Sequence, residues 1–274
     1  MNNPTAGSLN VKRLYRYQPY NELETRLRPA LEGKLYCAPP GRFNDPWDCR
    51  PYFKLPDDPE ELDKTIRWIL AADLKHGRLT GSQLARLEHQ LRSDPSLVRR
   101  KVEEVSSDIA SDIDRSYRVC CFSSKGDRAL MWSHYAQNHS GFCLEFSTCN
   151  DVLSLAYKVE YSSTYPAHDL TDDRDIRPFV SKSDVWEYEC EYRFVGVVDG
   201  SGEAKDMDAS LIVNSNNLLQ LPAESLVSVI VGCQMPVSGC EEVRRLIERY
   251  DRRVQFKRAV RVPDRYDLVI ELED

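Results

Sequence analysis

The chain lacks the signatures by which the common nucleotide-binding and hydrolytic folds declare themselves. No G-x-x-x-x-G-K-[ST] loop and no G-x-G-x-x-G turn occurs. Ordinary P-loop and Rossmann phosphate cradles, which need those glycines for close backbone approach, are therefore set aside. No G-x-S-x-G elbow and no kinase motif set is present, which removes the α/β-hydrolase and protein-kinase arrangements. There is no H-E-x-x-H and no C-x-x-C, so a zinc site has little support and no metal is expected. Internal repeats and low-complexity runs are missing too. No stretch approaches the roughly 20 apolar residues that cross a bilayer. Met1 to Asn10 is polar and has none of the apolar core of a signal peptide. A cytoplasmic protein without a membrane partner is expected. An excess of positive charge is absent as well: 37 basic residues face 44 acidic ones, for a net charge of -7. Non-specific nucleic-acid binding, which needs a positive field over the phosphates, is not expected.

The 274 residues are 41% hydrophobic and 30% charged, as in an ordinary globular protein. A chain of this length buries roughly three quarters of its unfolded surface and needs no disulfide staples. The nine cysteines are odd in number and several lie in apolar runs, so reduced, buried thiols are expected.

The first ten residues read as a loose tail, and residues 11–274 as one domain. Val11 to Tyr17 predicts a strand. Leu23, Leu27 and Leu31 recur at helical spacing, Gly33 ends that helix, and Lys34 to Ala38 returns as a strand. The run Pro39 to Asp48 (PPGRFNDPWD) predicts an irregular loop. Charged, helix-patterned sequence over about 58–115 predicts a helical insertion, with Thr80 and Gln83 as a capping box and Asp94 capping a helix opened by Pro95. Strands follow at Tyr117 to Phe122, Gly141 to Phe146, Leu155 to Tyr161, Trp186 to Val198, Leu226 to Val231, Val254 to Val262 and Tyr266 to Leu272. Asp127 is expected to cap a helix from Arg128 to about Asn138, and Ser238 one that runs to Tyr250. The order predicts an α+β fold: a mixed, largely antiparallel sheet with packed helices and the helical insertion.

Three stretches could carry chemistry. In Trp186 to Phe194 (WEYECEYRF), strand alternation sets Trp186, Tyr188, Cys190, Tyr192 and Phe194 on one face. Glu187, Glu189, Glu191 and Arg193 take the other, at intervals of about 7 Å. Such a row is either a solvated face paired with cations or the acidic wall of a cleft. In Cys120 to Ser124 and the following Met131 to Ala136, Ser123 and Ser124 offer hydroxyls and His134 offers a proton carrier near neutral pH, or a packed core histidine. In Arg42 to Asp48, Asn44 and Asp45 either build turns or border a pocket. On the first strand Arg13, Tyr15 and Tyr17 share one face and Leu14 and Arg16 the other, where an arginine suits a phosphate or balances the glutamates.

Taken in order, LYRY, KLYCAPPGRFNDPWD, VCCFS, MWSHYAQNHSGFCLEF, KSDVWEYECEYRF and LPAESLVSVIVGC resemble the bacterial domain-of-unknown-function family 2971, over about residues 13–235. The arrangement is also similar, more loosely, to the ADP-ribosyltransferase superfamily, which has a basic residue on a first strand, a serine on a second and an E-x-E glutamate on a later one. Arg13 or Arg16, then Ser123 and Ser124, then Glu187, Glu189 and Glu191 follow that order. This resemblance implies NAD as a substrate, transfer of ADP-ribose to an unidentified macromolecular acceptor or to water, and a role in bacterial defence or toxin action. Glu189 and Glu191, then Glu187, would be catalytic, with Ser123 orienting them and His134 nearby. Arg13, Arg16, Tyr17, Asn44, Asp45, Ser124, Trp132, Tyr135 and Arg193 would hold the nucleotide, an aromatic such as Trp132 or Tyr135 stacking on nicotinamide. Two other classes compete. A metal-dependent nuclease or phosphoesterase would use Asp45, Asp48, Glu189 and Glu191 as oxygen ligands. A non-catalytic sensor would bind a ligand or a phage protein without turnover.

Overall fold

The computed structural model describes residues 3–75, 77–168, 175–206, 208–251 and 253–273. It is an α+β fold built on one large mixed sheet. The strands are β1 (Arg13–Gln18), β2 (Lys34–Tyr36), β3 (Tyr117–Ser123), β4 (Phe142–Ser147), β5 (Tyr157–Lys158), β6 (Glu160–Ser162), β7 (Ser181–Ser183), β8 (Glu191–Val198), β9 (Ile212–Val213), β10 (Leu218–Gln220), β11 (Leu226–Val231), β12 (Gln255–Arg261) and β13 (Leu268–Leu272). The helices are α1 (Arg28–Leu31), α2 (Pro59–Lys75), α3 (Gly81–Ser93), α4 (Pro95–Ser116), α5 (Ala129–Tyr135), α6 (Arg177–Val180) and α7 (Val237–Tyr250). Among the described residues the sheet order is β13-β12-β11-β4-β1-β3-β8-β9-β10-β2, with β5 also on β8. The β11–β12 and β8–β9 pairs are parallel and the other pairs of this sheet antiparallel.

Alternation explains how the sheet is covered. Leu14, Phe122, Leu144, Phe146, Val229 and Val231 turn to one face and pack against α7 through Cys240, Val243, Leu246 and Ile247, which recur at helical spacing. Tyr17, Cys143 and Ile230 turn to the other face, where Met131 and Trp132 of α5 cover them. The helices α2, α3 and α4 form the expected insertion with a small core of their own, centred on Ile66, Ile69, Leu91, Val98 and Val102. Asp94 caps α4 by accepting the Ser96 and Leu97 N–H groups, and the Gln83 side chain accepts the Thr80 N–H at 2.8 Å, as the capping pattern predicts.

Three expectations are corrected. Pro4 and Ala6, expected within a loose tail, are docked on the fold: Ala6 is fully buried, its N–H donates to Ala156, and the Lys158 N–H donates to Pro4, each at 2.8 Å. Asp127 and Ser238 are not caps, since the N-cap positions are Arg128 and Pro236. The run from Trp186 is not one long strand. Asp184–Glu189 is a 3-10 helix, Cys190 is left-handed, and the strand begins only at Glu191.

One feature of the sheet makes room for a site. On one edge β3 is fully paired with β8 from Tyr117 to Ser123. On its other edge it meets β1 only at Tyr15↔Ser123, and further along it bridges Ala38, just past β2. Between those two contacts β1 and β2 part, and the sheet is split.

Candidate functional site

A cleft of about 510 Å³ enters the split. From β1 and the residue after it come Tyr15, Arg16, Tyr17, Gln18 and Pro19; from β3 come Val119, Cys121, Phe122 and Ser123. Val119 exchanges backbone hydrogen bonds with Ala38 (2.8 and 2.9 Å). Residues two apart on a strand present their backbone to the same edge. The N–H and C=O of Cys121 are therefore turned to the split.

The acidic wall comes from the helix-to-strand switch. Left-handed Cys190 (φ 47°, ψ 49°) breaks the alternation that a continuous strand would impose. It brings Glu189 and Glu191 onto a single cation, Lys182 Nζ on β7, at 2.5 and 3.0 Å. Behind Glu191, Arg193 binds it with two N–H groups at 2.8 and 2.9 Å and reaches Asp48 at 2.8 Å. Arg193 Nη1 also donates to the Phe179 carbonyl at 2.9 Å. Three carboxylates thus share two cations, and no side chain of the five is more than 5% exposed. Burial of unbalanced charge pushes the carboxylates apart in acidity. Burial and the like charge of Glu191 hold Glu189 above the ordinary glutamate range, with Lys182 opposing them. Burial also acts to raise Glu191, but Arg193 and Lys182 outweigh it and bring it down to about 2. Burial holds Asp48 above its ordinary value despite Arg193.

Glu189 is further fixed by its neighbours. Tyr135 Oη–H donates to its Oε1 at 2.6 Å, and burial together with that bond pushes the phenol well above its ordinary value. Ser123 Oγ–H donates to the Glu189 carbonyl at 2.6 Å and itself accepts the Lys125 N–H at 3.0 Å. The serine therefore orients the backbone of Glu189 rather than its carboxylate. A carboxylate offers about four acceptor positions, so Glu189 retains acceptor capacity beyond Tyr135 and Lys182.

A basic group lines the same cleft. Arg16 Nη1 donates to the Tyr36 carbonyl at 2.6 Å and to Cys120 Sγ at 2.7 Å, spanning from β1 to the far side of the split. Arg26 lies over the Tyr36 ring at 4.1 Å, and exposed Arg42 joins them in the lining. His134, also in the lining, is exposed, with its ring 6.0 Å from that of Tyr188.

The cleft thus gathers Glu189, Glu191, Ser123, His134, Arg16, Tyr17, Asn44 and Tyr135. Other expected residues lie elsewhere. Glu187 is exposed on the 3-10 helix and does not line the cleft. Arg13 pairs with Glu145 at 3.3 Å, on the opposite face of β1 from Arg16. Trp132 is fully buried, donates its indole N–H to Gly126 and packs edge-on against Tyr17, so it is closed to a ligand. Arg193 is fully buried behind Glu191 and positions it rather than meeting a nucleotide. Ser124 donates its N–H to the Cys190 carbonyl at 3.0 Å and is not part of the lining. Asp45 is buried and accepts the Trp47 N–H at 3.0 Å, beside a neighbouring cavity. Sequence reasoning missed Lys182, Arg26 and Arg42 as site residues. The signal for Lys182 was the glutamate row itself, which demands a nearby cation.

Among the described residues no group of three or more His, Cys, Asp or Glu side chains is arranged to hold a metal ion. No helix among them is long and apolar enough to cross a membrane. No curated protein and no solved structure matches the chain. A family model described as a protein of unknown function (DUF2971) matches residues 131–194, which run from α5 to the core of β8 and contain Tyr135, Lys182, Glu189, Glu191 and Arg193: over this segment the chain is similar to that family.

Proposed function

We propose that the cleft binds NAD and breaks its nicotinamide–ribose bond, passing ADP-ribose to water or to an acceptor. The observation that carries this reading is Glu189: a carboxylate of raised basicity, held by Tyr135 and Lys182 on the wall of a cleft that also presents arginines. As the C–N bond breaks, its electron pair leaves with nicotinamide and cancels the pyridinium charge. The ribose is left with oxocarbenium character. A carboxylate that accepts a hydrogen bond from the ribose 2′-hydroxyl stabilises that charge, as in glycoside cleavage. In hydrolysis a water oxygen then bonds to the anomeric carbon and releases one proton to solvent. Arg16, Arg26 and Arg42 suit the diphosphate. The Cys121 N–H and C=O, one donor and one acceptor turned to the split, match the carboxamide of nicotinamide. Glu191 supports the site by anchoring Lys182.

The metal-dependent reading draws less support, because Lys182 and Arg193 stand where a cation bridging Asp48, Glu189 and Glu191 would sit. Nicotinamide release from NAD by the full chain tests the proposal, with Glu189→Gln beside it. Release by wild type that falls about a hundredfold or more in the variant is expected. Absence of release, with no thermal shift in millimolar NAD, overturns the reading; NAD at 100 times its dissociation constant adds roughly 2.7 kcal/mol of stability.

A further inference from the structure

Beside the cleft lies a second cavity of about 400 Å³ that bond cleavage does not use. Three segments distant in sequence wall it: residues 44–47, 162–166 and 181–186. The walls are mainly flat and apolar. Trp47, Trp186 and Tyr165 contribute rings, and Pro46, Pro166 and Val185 fill between them. Trp47 is 62% exposed and Val185 69%, a large apolar surface left to water beside a cavity of ligand size. The rings are held in place. The Tyr165 hydroxyl donates to the carbonyls of Trp47 and Arg50, and the Trp186 ring stands 5.1 Å from Lys182 Nζ and 6.1 Å from the Tyr188 ring.

The polar groups left unengaged in this cavity are neutral. The Asn44 amide and the hydroxyls of Ser163, Thr164, Ser181 and Ser183 make no side-chain hydrogen bonds among the described residues. Of the two charged lining residues, Asp45 is buried against the Trp47 N–H, and Lys182 is engaged by Asp48, Glu189 and Glu191. No cation is left over for a phosphate. Indole faces beside amide and hydroxyl groups suit a planar, uncharged ring whose edge carries donors and acceptors. A phenylalanine-like ring would leave those polar groups unanswered.

We propose that this chamber binds a nucleobase, stacked on Trp47 and Trp186 with its edge on Asn44 and the serine and threonine hydroxyls. Asn44 and Lys182 line both cavities, so a base held here lies next to Glu189. What the base belongs to rests on the NAD reading: it is either the adenine of the dinucleotide or the base of a separate acceptor nucleoside. Its binding stands apart from that reading.

Equilibrium dialysis of the full chain against labelled adenosine and guanosine, with ribose as control, tests the proposal. Saturable nucleoside binding without ribose binding is expected, weakened about tenfold or more by Trp47→Ala and by Trp186→Leu. The two variants guard against misfolding, because Trp47 is largely exposed and its removal leaves no core void. Displacement of adenosine by NAD assigns the chamber to the dinucleotide's own adenine; adenosine that stays bound beside NAD assigns it to an acceptor. Absence of saturable nucleoside binding, or binding unchanged in both variants, overturns the proposal. Nicotinamide release reports separately on the cleft. Base binding with neither nicotinamide release nor a thermal shift in NAD fells the cleavage reading alone, and release without base binding fells the chamber alone.

Discussion

Two carboxylate clusters in this protein contain the same charges and differ in their surroundings. In the helical lobe, Asp73, Glu104 and Asp108 meet Arg78 and Lys101, with Asp73 only 1% exposed and paired at 3.1 and 3.2 Å. At the sheet, Asp48, Glu189 and Glu191 meet Lys182 and Arg193. Each cluster has three carboxylates for two cations. In the helical cluster the surplus negative charge rests on Glu104 and Asp108, whose side chains are 45% and 38% exposed, and water disperses it. At the sheet the five side chains are at most 5% exposed, so solvent screens the surplus little, and it appears as raised proton affinity at Glu189 and Asp48. None of the five helical-lobe residues lines the cleft. Buried ion pairs alone are weak evidence of a site. An unbalanced set of charges, little exposed and on the wall of a cavity, is stronger evidence.

The largest expected effect follows from taking one cation out of each cluster. Arg193→Met leaves Glu191 and Asp48 buried with Lys182 alone, and should cost about 3–5 kcal/mol. Lys101→Met leaves Asp73 with Arg78 and partly solvated neighbours, and should cost about 1 kcal/mol. Urea denaturation of both variants beside wild type gives the two numbers. Equal losses would erase the distinction between the clusters.

Acid sharpens the comparison inside the sheet cluster, because Glu189 and Glu191 should respond with opposite signs. The folded-state pKa of Glu191 is depressed to about 2. The unfolded chain, with a glutamate value near about 4.3, therefore binds its proton first as pH falls. The stabilisation from Glu191 is complete above pH 5 and is lost as pH falls toward about 2, a total of about 3 kcal/mol. Glu189 is raised, so the folded state takes its proton first and gains stability as pH falls through that pKa. Unfolding free energies between pH 6 and about 3 should thus fall less steeply in Glu191→Gln than in wild type, and more steeply in Glu189→Gln. Parallel curves for the two variants would show that the pair is not split.

Much of this was legible beforehand where local chemistry decides. The apolar run Leu226–Val231 reads as a buried strand and Asp94 before Pro95 as a helix start, and both stand so in the fold. The glutamate row was legible as residues and misread as geometry. Its two-residue alternation satisfies a strand perfectly well, yet a strand would have lined up three like charges with no shared cation. The left-handed turn at Cys190 resolves this by bringing two of them to Lys182, and no periodicity marks such a turn at a cysteine. Lys182 was one of 37 basic residues, and only the fold shows which one reaches the glutamates. The cleft was illegible for a similar reason: it exists because β1 meets β3 at a single residue pair, a long-range property of register.

The smallest effect tests the turn itself. A non-glycine residue in the left-handed region costs about 1–2 kcal/mol, and strain of this kind is tolerated where it sets a site. The Cys190 side chain contributes little in return; its thiol is 3.7 Å from the Glu187 carbonyl. Cys190→Gly removes the steric cost but adds about 0.5–1 kcal/mol of chain entropy, so a gain of up to about 1.5 kcal/mol is expected. Cys190→Val adds a branched Cβ at positive φ and should lose about 1–2 kcal/mol while moving Glu189 off Lys182. Thermal unfolding ranks the three proteins, and the order Gly, Cys, Val from most to least stable is the expected one. If valine were tolerated as well as glycine, the left-handed turn could not be what sets Glu189 and Glu191 on one cation. The contrast with the helical lobe, where Asp73 reaches its partners from a regular helix, would then need another cause.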